Sequence, residues 1–193
     1  MQNAQQTSEP YDSSLGWPAP LTSPLLAGQL RQRPAQAADD DFLLALFAEA
    51  RPELGLLPEP VREQLLRLQF EAQRRQYRAD TPDAVDWILE LHRGDEAEQA
   101  PVGRCYLRLG PDELRLLDLA VTERLRGNGV GSSVLEQLRT VAERAGVPLR
   151  LSVWQANDGA IRLYRRLGFV EDGDQDSAGG YLRMHWAAFE EEE

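Results

Sequence analysis

The chain has 193 residues, a 42% apolar fraction and a formal net charge of -11, enough for one domain with a proper core and short tails. The acidic balance argues against a nucleic-acid partner, which would require a basic face for phosphates. No apolar run approaches the roughly 20 residues that cross a bilayer, and the first residues carry neither a basic nor an apolar leader segment, so a soluble cytoplasmic protein without membrane contact is expected.

Much of the acid lies where water would solvate it, at residues 39–41, at Asp172, Asp174 and Asp176, and at residues 190–193. Cys105 has no second cysteine to pair with and sits inside an alternating pattern, which reads as buried packing rather than as a nucleophile. All 21 basic residues are arginine. A Walker-type phosphate loop, whose lysine reaches the β and γ phosphates, is thereby removed.

Residues 1–24 are rich in Gln, Ser, Pro and Ala and hold too few apolar side chains to bury a face, so they read as a disordered tail, with a partner-binding segment around residues 15–17 as the alternative. Residues 25–33 predict a first strand, closed by Arg33-Pro34. Asp39, Asp40 and Asp41 then supply the cap and first-turn acids of a helix carrying Phe42, Leu43, Leu46, Phe47 and Ala50, which Arg51-Pro52 ends. A second helix starts near Pro60, with Val61, Leu65, Leu68 and Ala72 on one stripe and Leu66, Phe70 and Tyr77 beside it. Thr81-Pro82 breaks it.

Residues 84–122 predict an antiparallel meander. Val85, Trp87, Leu89 and Leu91 alternate in its first strand and Gly103, Cys105, Leu107 and Leu109 in its second. The third, residues 114–121, is apolar on both faces except at Arg115 and Asp118, and should be central. A loop follows, Arg126-Gly127-Asn128-Gly129-Val130-Gly131, and then an amphipathic helix with Val134, Leu135, Leu138, Val141, Ala142 and Ala145 on one side and Gly146 as cap. Residues 149–154 form a second buried strand, so strand, helix and strand make a right-handed βαβ unit whose strands are parallel. From Asn157 a short helix carries Ala160, Ile161, Leu163, Tyr164 and Leu167. Phe169-Val170 and residues 181–186 make a last strand pair. His92 and His185 lie in separate strands without partners at ligand spacing, and no metal site is expected.

The glycine loop reads as an anion-binding turn: near-consecutive glycines let several N–H groups point into one concavity, and the next helix adds the positive end of its dipole. The dinucleotide fingerprint is nearly met by Gly127, Gly129 and Ser132, but Val153-Trp154 stand where an acid for the ribose hydroxyl is needed. Arg126-x-x-Gly129-x-Gly131 between a central strand and a helix instead resembles the acetyl-CoA pyrophosphate loop of the GNAT acyltransferase superfamily. The segment 157–169, Asn-Asp-Gly-Ala-Ile-Arg-Leu-Tyr-Arg-Arg-Leu-Gly-Phe, resembles the second signature of that family, and the order of elements agrees over residues 25–189.

The resemblance implies the GNAT fold, a mixed α/β sheet in which an antiparallel meander leads into a βαβ unit, occupying residues 25–189 between the tail 1–24 and an acidic tail 190–193. It implies an N-acetyltransferase in which an amine attacks the thioester of acetyl-CoA directly, without a metal. The backbone of Leu119, Ala120 and Val121 would run beside the pantetheine arm. Gly127, Asn128, Gly129, Val130, Gly131 and Ser132 would cradle the pyrophosphate with Arg126 alongside, and Asn157 would hydrogen-bond the cofactor arm while also capping its own helix. Tyr164 occupies the position of the general acid, and a phenol of pKa about 10 is a suitable donor to an alkyl thiolate. Where some members carry a glutamate base, Ser152 stands. Asp118 is the substitute, an acid on a strand face otherwise formed by Leu114, Leu116 and Ala120, with a structural role, a base acting through ordered water or no base at all as alternatives. The rival reading is a non-catalytic acyl-CoA-binding or interaction domain. The acceptor is a primary amine of unidentified class, with the acidic balance favouring polyamines, aminoglycosides or protein amino groups; a homodimer is left open.

Overall fold

The computed structural model describes residues 21–22, 29–92, 99–173 and 180–188, the first pair as backbone only. The acidic tail 190–193, Asp174, Asp176, and residues 1–20 and 23–28 lie outside the described residues. Strands β1 (Leu21–Thr22), β2 (Gln29–Pro34), β3 (Val85–His92), β4 (Gln99–Leu109), β5 (Leu114–Val121), β6 (Leu149–Trp154), β7 (Val170–Glu171) and β8 (Tyr181–Trp186) accompany helices α1 (Asp40–Glu49), α2 (Glu59–Asp80), α3 (Val130–Ala145) and α4 (Asp158–Arg166).

The strands join in one mixed sheet, ordered β1-β2-β3-β4-β5-β6-β8-β7. β5 and β6 are parallel, as the βαβ pattern predicts, and the other neighbours are antiparallel. Leu21 and Thr22, within the stretch expected as tail, pair with Leu30 and Gln29 and so belong to the sheet edge.

Two layers of helix cover the sheet. The apolar stripe of α3, including Val134, Leu135 and Leu138, packs in one cluster with Leu107, Leu114, Leu116, Leu149 and Leu151 of the central strands and with Ile161, Tyr164 and Phe169 around α4. Each leucine so buried contributes about 1.5–3 kcal/mol. On the opposite face Leu43 and Phe47 of α1 meet Phe70 of α2 over Ile88 of β3, with Phe47 and Phe70 edge to face at 5.5 Å. Only one of the two apolar rows of α2 therefore points inward. Phe70 and the half-buried Leu66 and Tyr77 hold the sheet side, whereas Val61 and Leu68 of the first row face solvent at 52% and 61% exposure.

β5 departs from simple alternation at one place. Tyr106 pairs with Asp118, yet Leu107 pairs with Leu116, so Leu117 is an extra residue, a β-bulge. Because the side-chain period is two, the extra residue moves Asp118 to the face opposite Leu114 and Leu116. The expectation that Asp118 shares a face with those leucines is corrected: its row contains Ala120 and, across β4, Arg104 and Tyr106.

A second close approach fixes the same strand pair. A Cβ added at Gly103 of β4 would lie 2.5 Å from the carbonyl oxygen of Ala120 in β5. Gly103→Ala is expected to destabilise the protein by about 1–3 kcal/mol, read as a lower denaturation midpoint with an unchanged m value.

Candidate active site

The apolar run of β5 ends at Val121, and a single 3-10 turn, Glu123–Leu125, feeds the glycine loop. Gly127 and Gly129 adopt φ of 77° and 82°, the left-handed region that costs a side chain about 1–2 kcal/mol. Nothing lies within 4 Å of a Cβ added at Gly127, so conformation, not space, demands glycine there. Gly131 is different. It lies in the first turn of α3, and an added Cβ would meet only Leu163 of α4 at 3.4 Å.

The N-terminus of α3 has no side-chain cap and no acid in its first turn, whereas α1, α2 and α4 carry Asp40, Asp41, Glu59 and Asp158 there. The N–H groups of Val130, Gly131 and Ser132 thus have no intrahelical acceptor, and the helix dipole is uncompensated. Arginines flank this end. Arg126 donates from Nε to Val121 O at 3.1 Å and from Nη2 to Glu49 Oε2 at 3.2 Å. Arg166 of α4 donates to Ser132 Oγ at 3.2 Å. The arrangement can hold an anion with main-chain donors and two guanidinium groups.

β5 and β6 pair at only three positions, Leu114–Leu149, Arg115–Arg150 and Leu116–Leu151, and part beyond the bulge. Thr122 N–H donates to Val102 O of β4, so by alternation the main-chain groups of Leu119 and Val121 turn away from β4 into the gap. The gap leads from the centre of the sheet to the α3 N-terminus. Asn157 marks its other side; Asn157 Oδ1 accepts from Ala160 N–H at 3.1 Å, the cap expected of it.

Tyr164 and Asp118 belong to opposite faces of the sheet. Tyr164, on α4, is 9% exposed and packs 5.6 Å from Phe169. Burial, with smaller contributions from Asp118 and Cys105, pushes its phenol up to about 12, so it stays protonated at neutral pH. Cys105 is fully buried and burial raises its thiol, which agrees with a packing role.

Asp118 keeps 31% of its side chain open to solvent. Arg104, 5% exposed, forks Asp86 through Nε and Nη2 at 2.7 Å each and reaches Asp118 Oδ2 through Nη1 at 3.2 Å. Two carboxylates thus share one cation. Burial raises the pKa of Asp118 most, Arg104 opposes the shift and Asp86 adds to it. Above the bulge, Tyr77 Oη donates to Leu117 O at 3.3 Å and its ring lies 5.0 Å from that of Tyr106. Trp154 and Tyr181, both about half exposed, meet edge to face at 5.3 Å.

Arg104, Asp86, Glu49 and Arg166 escaped the sequence reading. Asp86, Arg104 and Asp118 are among the charges that interrupt three adjacent apolar strands, beside Glu90, Arg108 and Arg115, and only the register shows that these three meet. Arg166 stands inside the 157–169 motif. Nothing near Glu49 in sequence announces a contact 77 residues away. Ser152 is exposed. Among the described residues no group of three metal-ligating side chains occurs, and no helix is long and apolar enough to cross a membrane.

Residues 47–169 match the model of the "Acetyltransferase (GNAT) family". No curated protein matches the sequence. Among solved structures, the PaiA N-acetyltransferase of Thermoplasma acidophilum in complex with coenzyme A is 17% identical, with a TM-score of 0.57 over 82% of this chain and 98% of that one. Ard1 of Thermoplasma volcanium is 22% identical (TM-score 0.53, 86% and 100% covered), and a GNAT-family acetyltransferase of Listeria monocytogenes 17% identical (TM-score 0.58, 88% and 99% covered). At these identities the likeness is one of fold.

The shared arginine yields an asymmetric stability forecast. Asp86→Asn should cost about 3 kcal/mol, since it strips the fork from a buried guanidinium, whereas Asp118→Asn should stay within about 1 kcal/mol at pH 7. A raised carboxyl pKa means that the folded state binds more protons than the unfolded one as pH climbs from about 3.9, so stability falls through that window. Urea titrations from pH 4 to 8 should show this decline in the wild type and a smaller one in Asp118→Asn.

Proposed function

The chain belongs to the GNAT acetyltransferase family, and from that premise we propose that it transfers an acetyl group from acetyl-CoA to a primary amine by direct attack. The observation that carries this reading is a parted strand edge leading to an uncapped, arginine-flanked helix N-terminus. An extended arm can add to the exposed edge at Leu119 and Val121 as a further strand, and a diphosphate can accept from the first N–H groups of α3. Residues 127–132, with Arg126 and Arg166, are assigned to the diphosphate, and Asn157 to the arm.

The chemistry then divides between the two faces. An alkylammonium of pKa about 10.4 must shed a proton before it attacks, at a cost of roughly 4–5 kcal/mol near pH 7 unless a base assists. Asp118, its carboxyl pKa raised by burial and part of its side chain open to solvent, takes that proton and passes it to water. Nitrogen bonds to the thioester carbon, and a main-chain N–H on the edge of β5 stabilises the oxyanion. The C–S bond breaks, Tyr164 protonates the departing thiolate, and the second proton released by nitrogen returns to Tyr164. The products are the N-acetyl amine and the CoA thiol.

A non-catalytic acyl-CoA-binding domain is the rival, favoured by Ser152 at the strand position where some members carry glutamate. Thiol release from acetyl-CoA against a panel of amines and peptide N-termini separates the two. Tyr164→Phe is expected to lower kcat about 10²–10⁴-fold with acetyl-CoA affinity retained, and Asp118→Asn to remove the acidic limb of the pH–rate profile. Turnover indifferent to Tyr164→Phe, or absent with every amine, sinks the catalytic reading. Gly131→Glu, at a position with no special φ and room for a Cβ, should leave the fold intact and abolish acetyl-CoA binding by calorimetry, because its carboxylate would occupy the anion seat.

A further inference from the structure

Trp154 and Tyr181 are left without a task by the chemistry above. They stand opposite each other in the register of β6 and β8, and their rings meet at 5.3 Å with an interplanar angle of 68°. Main chain holds this corner in place. Gln155 N–H donates to Gly180 O at 2.9 Å, and Gly180 takes a φ of 74°. A Cβ added there would lie 2.5 Å from Cζ3 of Trp154, so the six-membered ring of that side chain lies directly over the Gly180 backbone. Leu149, Leu151 and Val153 of β6 belong to the cluster beneath α3, and by alternation Ser152 and Trp154 project from the other face. α1 and α2 cover that face over Ile88 of β3, whereas Trp154 and Tyr181 remain 50% and 55% exposed. β6 has no partner on its β5 side beyond Leu151. Trp154, three residues farther and about 10 Å along the strand, therefore borders the gap, on the sheet face from which Asp118 projects.

Two half-exposed rings set at an angle to each other let a third ring stack on one while meeting the other edge to face. Apolar side chains exposed singly are ordinary, but a contiguous exposed pair beside a gap marks a place of contact. We propose that the acceptor is an arylalkylamine, whose aryl group fills the corner of Trp154 and Tyr181 while its amino group enters the gap. This rests on the acetyltransferase reading and gives its acceptor a chemical class. A saturated ring would cover the same area without the attraction between rings. A polyamine would gain cation–π attraction from the corner but leave most of its area open to water.

The test is thiol release from acetyl-CoA with 2-phenylethylamine, 2-cyclohexylethylamine, propylamine, glucosamine and spermidine. The wild type should favour the phenyl compound over the cyclohexyl one by about 3- to 10-fold in kcat/KM, and over propylamine by about 10-fold or more. Trp154→Ala should raise KM for 2-phenylethylamine about 10-fold with kcat unchanged, since the corner binds substrate and transition state alike. Trp154→Phe should keep part of the preference. Neither variant should alter KM for propylamine or the affinity for acetyl-CoA by calorimetry, both of which a merely structural ring would move. Turnover of the cyclohexyl compound, glucosamine or spermidine equal to or better than that of 2-phenylethylamine overturns the proposal and leaves the acetyltransferase reading standing, as does a preference indifferent to Trp154→Ala. No thiol release with any amine overturns both. If Trp154→Ala fails to fold, Tyr181→Ser and the wild-type ratios decide.

Discussion

One extra residue in one strand sets the geometry of the molecule. Before Leu117, β5 is an ordinary central strand whose leucines lie under α3 and whose ladder with β6 is complete. After it, the phase of alternation is reversed and the ladder stops. Had the phase continued, Asp118 would project among the leucines beneath α3, where an unpaired acid costs several kcal/mol. The bulge instead delivers it to Arg104, and the main chain at Leu119 and Val121 becomes the border of a gap. Tyr77 seals the irregularity from the far side by hydrogen-bonding the displaced carbonyl.

Charge is distributed with comparable economy. A lysine-free chain meets every need for a cation with arginine, and the forks of that residue show what it offers that lysine cannot: Arg104 binds Asp86 with two donors and still has a third for Asp118. The missing acid at the start of α3 matters in the same way. Three helices neutralise their own N-terminal dipoles with aspartate or glutamate; the fourth leaves that end for something outside the chain.

The legible part of this structure was the part written in periodicity. The alternation of Val85, Leu89 and Leu91, the 3.6-residue stripe from Val134 to Ala142 and the glycines at 127 and 129 each carry their meaning locally, and the elements fall where those patterns put them. Asp118 shows where that reading ends. Alternation is blind to a bulge, because the residue that breaks the count is a leucine among leucines, and so its face came out reversed. α2 gave a related difficulty: two apolar rows run along it, and the choice between Leu68 and Phe70 was made by α1 and Ile88, which sequence does not place beside it. Glu49, Arg104 and Arg166 became visible only when strands and helices far apart in the chain were brought together.

The contact between Glu49 and the glycine loop has a thermodynamic corollary. One carboxylate oxygen, at the last residue of α1, accepts both from the main chain of Glu123 at 2.6 Å and from Arg126. The end of α1 thus shares a single acceptor with the segment that leads into the α3 N-terminus. Any redistribution of Arg126 between that oxygen and an incoming anion alters how tightly the end of α1 is tethered. By linkage, whatever free energy passes in one direction across this bond passes equally in the other.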